Sequence, residues 1–233
     1  MKRTLIAVTL SLFVGALALA QTPTPTVDQI IDKYVEAIGG KVAFDKLTSR
    51  VMIGSFENSA RGLTVPLEIY AKAPDVRVEI LGFGEASQGF NGVDGWSMNV
   101  TEDGFRELTG PALARFKRQS LFNREVKIRE QYARLTAAGK ARIGGRETYV
   151  LDGVVSGAGT EKLFFDVQTG LLVRQSAGAI EIDFEDYREI DGVKLPYTIR
   201  RTFPNVPGII SSTFRQITHN VPIDESKFKV PTP

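Results

Sequence analysis

Lys-Leu-Phe-Phe-Asp-Val (162–167), Gln168-Thr169-Gly170 and Leu-Leu-Val-Arg (171–174) spell one antiparallel hairpin. Ala-Ile-Glu-Ile-Asp-Phe-Glu-Asp-Tyr (179–187), a turn at Asp191-Gly192 and Val-Lys-Leu-Pro-Tyr-Thr-Ile-Arg (193–200) spell a second. In the second, Ile180, Ile182 and Phe184 alternate with Glu181, Asp183 and Glu185. A period of two puts the apolar set on one face and the carboxylates on the other. The Asp-Gly pair supplies the positive φ angles that a tight hairpin needs.

Working outward, the same vocabulary continues on both sides. Strands are expected at 51–56, 65–71, 76–83, 87–91, 96–100 and 105–109, then at 141–143, 148–155 and 209–217. Gly62, Pro74-Asp75, Asn91-Gly92, Asp94-Gly95 and Asp103-Gly104 separate them as turn formers. Gly82-Phe-Gly84 reads as a bulge or bend. Ahead of the strands, Thr26-Val-Asp-Gln29 is a capping box, and Ile30, Ile31, Tyr34, Val35 and Ile38 form one helical stripe. Gly39-Gly40 stops that helix, and a shorter one, with Val42, Phe44 and Leu47, follows. A helical interruption is expected from about Pro111 to Gln131, as one helix or two. The closing segment offers Ile223, Phe228 and Val230 for docking on the domain.

Several strands are apolar on both sides. Leu163, Phe165 and Val167 point one way and Phe164 the other; Leu171 and Val173 oppose Leu172; Ile209 opposes Ile210 and Phe214. A sheet wet on one side would alternate cleanly, so both faces must be covered. The fold class expected is mainly β with helices (α+β): an open, curved antiparallel half-barrel wrapped around a few helices. Such a shape leaves a slot between sheet and helices for an apolar ligand.

The phrases at 163–174 and 190–197 (Ile-Asp-Gly-Val-Lys-Leu-Pro-Tyr) resemble those of LolA-like proteins. The opening Ile-Ile-Asp-Lys-Tyr-Val-Glu-Ala-Ile-Gly-Gly-Lys (30–41) and the ending Val-Pro-Ile-Asp-Glu-Ser-Lys-Phe (221–228) are similar to the same group. Those are exported bacterial proteins related to the outer-membrane lipoprotein carrier LolA and its acceptor LolB. The resemblance implies a bent antiparallel sheet holding acyl chains beneath helices. The acceptor is anchored through a lipidated cysteine, which this chain lacks; that favours a soluble carrier. The motifs are structural turns, so no individual cargo residue is carried over.

The ends and the charges set the address. Lys2 and Arg3, an apolar run from Leu5 to Leu19, and Ala18-Leu19-Ala20 form a cleavable secretory signal at 1–20. The run is short of the ~20 residues of a comfortable membrane span. Residues 21–27 read as a Thr/Pro tether and 28–233 as a single domain, expected in the periplasm with no integral membrane span after cleavage. The formal charge of +2 comes from Lys2 and Arg3, leaving 27 bases against 27 acids once they are gone, so nucleic acid is not an expected partner. The absence of cysteine removes disulfides, thiolate metal sites and thiol nucleophiles.

Chemistry is sparse. His219 is the one histidine and reads as a surface or edge residue, which removes multi-histidine metal sites and leaves any triad a single candidate base. Neither a nucleophile elbow nor a phosphate loop occurs. Glu181, Asp183 and Glu185 lie about 6.5–7 Å apart along one strand face. Strand alternation produces that spacing without any glycosidase role, and a solvated face is the preferred reading. The chain is therefore expected to be no enzyme, with no cofactor and no metal. Candidate cavity residues are Phe90, Trp96, Met98, Phe165, Ile182 and Phe184, for which packed core is the alternative. From Arg115 to Arg146 ten bases face two acids, for which ordinary solvated faces are the first reading; the sharper one is that Arg115, Lys117, Arg118, Arg124 and Lys127 form a basic rim for anionic lipid or an acidic partner. The reading is a carrier for a lipid, lipoprotein acyl chain or other apolar ligand. The alternative is an envelope interaction scaffold that engages a protein partner without cargo.

Overall fold

The chain order of the strands dictates where the helices must go. The computed structural model describes residues 25–99 and 104–231; the expected signal, residues 21–24 of the tether, and Val100 lie outside the described residues. Helices α1 (Val27–Ala37) and α2 (Lys41–Phe44) come first. A meander follows: β1 (Ser49–Asn58), β2 (Leu63–Lys72), β3 (Val76–Leu81), β4 (Ala86–Phe90), β5 (Gly95–Asn99) and β6 (Gly104–Glu107). After α3 (Gly110–Ser120) a second meander runs through β7 (Arg134–Ile143), β8 (Arg146–Val155), β9 (Gly159–Asp166), β10 (Leu172–Ala177), β11 (Ile180–Ile190), β12 (Val193–Phe203) and β13 (Val206–His219). The two meanders join where β13 pairs with β1, giving one 13-stranded antiparallel sheet, curved and unclosed.

One consequence governs the site. β6 and β7 are consecutive in sequence yet form opposite edges of the sheet. Residues 108–133 must therefore cross from edge to edge. They do so as α3 and two 3₁₀ turns, Arg124–Val126 and Ile128–Gln131. Phe122 and Ile128 of this crossing are buried in the same core as α1, so it runs over the helix-covered, inner face. β7 is ten residues long, far more than the three expected from 141–143. Its burial pattern is mostly exposed, as befits an edge, so hydrophobic periodicity could not signal it.

Local chemistry explains the elements. The Thr26 hydroxyl accepts from Gln29 N at 3.2 Å while the Gln29 side chain accepts from Thr26 N at 2.9 Å, closing the capping box. Ile30, Ile31, Tyr34 and Ile38 then bury one stripe of α1 against the sheet, with the Tyr34 ring edge-on to Phe165 at 5.4 Å. Each such side chain contributes about 1.5–3 kcal/mol. Irregularities interrupt the strands. Asp186 of β11 adopts φ 52° between the pairs Glu185–Thr198 and Tyr187–Pro196, with the register unchanged across it. Pro196, with no N–H to offer, is placed at that irregularity. A bulge between β1 and β13 sets Gly54 beside Phe214; a Cβ on Gly54 would lie 2.0 Å from the Thr213 carbonyl oxygen, so only glycine fits.

Both faces are covered, as the doubly apolar strands require. The inner core combines Met52, Leu67, Ile69, Leu151, Leu163, Phe165, Leu195, Phe214 and Ile217 with the helices. On the outer face Phe164 packs with Val150 and Val173. A third cluster, Val76, Val78 and Trp96, is capped by Phe228, with Ile223 and Val230 alongside. The C-terminal segment thus docks on the back of the first meander. His219 departs from expectation: it is 6% exposed, because β13 ends under the crossing rather than at an edge.

Candidate functional site: the inner face of the half-barrel

Two buried ion pairs clasp the crossing to the sheet. At one, Arg50 of β1 donates from Nη1 to Glu125 Oε1 at 2.8 Å and from Nε to His219 Nε2 at 3.2 Å. His219 Nε2 being the acceptor, Nδ1 carries the proton and donates to Asp191 at 2.9 Å. Asn123, held in the left-handed region at φ 56°, donates to the Phe44 carbonyl at 2.7 Å. At the other clasp, Arg118 of α3 forks onto Glu161 of β9, with Nη1 2.9 Å from Oε2. Tyr132 and Gln175 each donate to the same carboxylate at 2.7 Å.

Electrostatics follows from this packing. Burial pushes the Glu125 carboxyl up, but Arg50, a backbone N–H and Arg124 outweigh it and hold it below the ordinary value. Burial likewise pushes Glu161 up, and its hydrogen bonds from Arg118 and Tyr132 bring it down. Both clasps are therefore ionised pairs at neutral pH. Glu125 Oε2 is buried with no partner. An unmet acceptor of that kind costs about 1–3 kcal/mol, which release of the crossing into water would recover.

Beyond the ground filled by α1, the inner face carries an apolar row at the margin of the core. Cross-strand pairing sets Phe184, Ile199, Ser212, Phe56 and Val65 side by side across β11, β12, β13, β1 and β2. The next row holds Ile182, Arg201, Ile210, Asn58 and Leu63. The apolar members of the first row are half-buried rather than packed shut. Two cavities stand out. A crevice of about 20 Å³ lies beneath the crossing between Arg50, Arg77, Phe122 and Arg124, room for a water and little more. A groove of about 480 Å³ lies at Ile143, Val173, Arg174, Asp183 and Glu185, residues of the outer face and the β7–β8 turn. The crevice beneath the crossing has no room for an acyl chain.

The expected site residues divide. Phe165, Ile182 and Phe184 belong to the inner face, Phe165 as packed core and the other two on the half-buried rows. Phe90 is buried on the side of Arg77, with Lys117 Nζ 5.8 Å from its ring centroid. Trp96 and Met98 face the opposite way: register places Trp96 beside Gly89 and Val78 on the outer face. Of the expected basic rim, Arg115 and Lys117 are exposed and Lys127 is half-buried, but Arg118 and Arg124 turn inward. The carboxylates Glu181 and Asp183 pair with Arg174, and Glu185 with Arg200, on the outer face. Among the described residues, no group of three His, Asp or Glu could hold a metal, and no helix is long and apolar enough to cross a membrane. Sequence reasoning missed Arg50, Glu125 and Glu161, whose roles depend on partners 75 and 43 residues away.

Solved structures share this architecture. A DUF1329 family protein from Desulfovibrio piger superposes with a TM-score of 0.61 at 16% identity, over 88% of this chain and 98% of that one. A domain assigned to outer-membrane lipoprotein sorting from Vibrio parahaemolyticus gives 0.60 at 13% identity, over 85% and 95%. A LolA superfamily protein from Nitrosomonas europaea gives 0.59 at 13%, over 88% and 98%. No family model and no curated protein sequence matches the chain. At these identities the likeness is one of fold.

Proposed function

We propose that this chain, whose fold is LolA-like, is an exported carrier that holds a lipid or lipoprotein acyl chain on the inner face of its half-barrel. The observation that carries the reading is the row Phe184–Ile199–Ser212–Phe56–Val65, an apolar strip left half-open beside a filled core. A strip of this kind gains about 0.8 kcal/mol per methylene it covers, enough to hold a chain with few polar contacts. In this reading the crossing serves as a lid over the narrow crevice. Loading requires the clasps at Glu125 and Glu161 to open, and the unmet Glu125 Oε2 favours the first of them. A carrier needs no reacting group, in keeping with the sparse chemistry of the chain. Its place would be the periplasm, reached by the signal at 1–20 and occupied without a lipid anchor.

The scaffold reading draws less from the structure, since Arg118 and Arg124 of the supposed basic rim face inward. Native mass spectrometry of protein purified from the envelope tests the proposal. The expected result is a population carrying extractable lipid, and uptake of a fluorescent acyl probe by stripped protein. Lipid-free protein in every preparation, together with no probe uptake, would overturn it.

A further inference from the structure

The inner face carries two arginines outside its ion pairs, and one of them stands beside the apolar strip. Three of its carboxylates are each matched by an arginine: Glu125 with Arg50, Glu161 with Arg118, and Glu79 with Arg77 at 2.6 Å. Asp191 is met by His219, and Asp75 accepts from Phe122 N. Gln88 donates to the second oxygen of Glu79 at 2.6 Å, so that pair is also satisfied. Two guanidiniums remain. Among the described residues, Arg124 has no ion pair, and Arg201 has only a 3.1 Å hydrogen bond to the Ser212 hydroxyl. Arg201 stands in the second apolar row, directly between Ile182 and Ile210. Arg124 descends from the crossing and lines the crevice with Arg77.

These groups share one field. Burial lowers the pKa of Arg201, with Glu79 opposing and Arg77 and Arg124 adding to the lowering. Burial lowers that of Arg124 as well, and Arg77 and Arg118 add to it against Glu125. Arginine nevertheless keeps its proton at neutral pH, so the charge stays; Glu125 acts on Arg124 and Glu79 on Arg201 only at a distance, each carboxylate being paired with another arginine. A half-buried cation of that kind is unfavourable until an anion meets it.

We infer that the carried molecule is an anionic amphiphile, with its chain along Phe184, Ile199 and Phe56 and its carboxylate or phosphate received by Arg124 and Arg201. The inference rests on the carrier reading and adds the head-group chemistry. Guanidinium suits both anions because it presents paired N–H donors to two oxygens at once. Because Arg124 belongs to the crossing and Arg201 to the sheet, the head group would bridge lid and floor.

The test compares probes of equal chain length on stripped, full mature protein: hexadecanoate, hexadecyl phosphate and hexadecan-1-ol, with inorganic phosphate as the chainless arm. Titration calorimetry should show each anionic amphiphile binding at least about ten-fold tighter than the alcohol. Arg124→Gln and Arg201→Gln should each erase most of that preference, read as the ratio of anion to alcohol affinity within each variant, and retained binding of the alcohol reports a folded strip. Equal binding of anion and alcohol, or a preference that survives in the double variant, overturns the inference and leaves the carrier reading standing. Inorganic phosphate binding as tightly as hexadecyl phosphate overturns the amphiphile and points to a free-anion site. Failure of every chain-bearing probe overturns both readings.

Discussion

Replacing Arg50 by Met should remove the clasp that holds the crossing to β1, and the structure sets the size of the effect. The Arg50 side chain is 9% exposed and the Glu125 side chain 21%, so water screens the pair little. Loss of the guanidinium leaves a buried carboxylate with no side-chain partner, since Oε2 already lacks one. Stranding a buried charge costs about 3–5 kcal/mol. Glu125→Gln is milder, because Arg50 keeps His219 as an acceptor; about 1.5–3 kcal/mol is expected. The double variant strands no charge. Its loss should fall short of the summed single losses by at least about 1.5 kcal/mol. Urea denaturation reads this directly: with a slope of about 2–3 kcal/mol/M, Arg50→Met lowers the midpoint by about 1–2.5 M. The pair also predicts a pH dependence. Glu125 is held below its ordinary value of 4.5 when folded, so its contribution is present above 4.5 and fades as pH falls through the folded value. In Glu125→Gln that part of the acid profile should flatten. A midpoint drop under about 0.5 M in Arg50→Met, or single losses that add within about 0.5 kcal/mol, would refute the assignment of a buried, coupled pair.

Three further outcomes follow from other parts of the molecule. Burial lowers the pKa of His219, against the hydrogen bond to Asp191, so the folded chain prefers the neutral ring; stability should decline as pH drops below 6.5 and level off under the folded value. His219→Gln should abolish that decline in a thermal-denaturation series, and an unchanged slope would place the titration elsewhere. Gly39→Ala puts a Cβ 2.2 Å from the Gly192 carbonyl oxygen at φ +111°, whereas Gly40 at φ +79° has open space. Gly39→Ala should therefore cost about 1–3 kcal/mol more than Gly40→Ala, and equal melting temperatures would contradict the close approach of α1 to the β11–β12 turn. Phe228→Ala removes the 5%-exposed cap from Val76, Val78 and Trp96 and should cost about 3 kcal/mol while exposing the C-terminal segment to limited proteolysis; resistance at that segment would count against its docking role.

Much of the fold was legible because strand pairing leaves a local signature. The hairpins at 162–174 and 179–200 announce themselves by alternation and turn residues, and the capping box at Thr26 announces α1. Only the 141–143 end of β7 is visible in the sequence, because an exposed edge strand has no apolar period to display. Arg118 and Arg124 look like surface bases in the sequence, because a charge run shows nothing of the direction in which each side chain points.

Alternation by itself determined which residues share a face: Trp96 with Met98, Ile182 with Phe184, Phe165 with Leu163. Only the tertiary structure decided which of those faces is the inside. That choice depends on register summed across thirteen strands and on a crossing between distant edges, and neither leaves a mark within any single strand. The same geometry brings Arg50 to Glu125 and leaves Arg124 and Arg201 outside the ion pairs, because charges pair through space across gaps no local pattern spans.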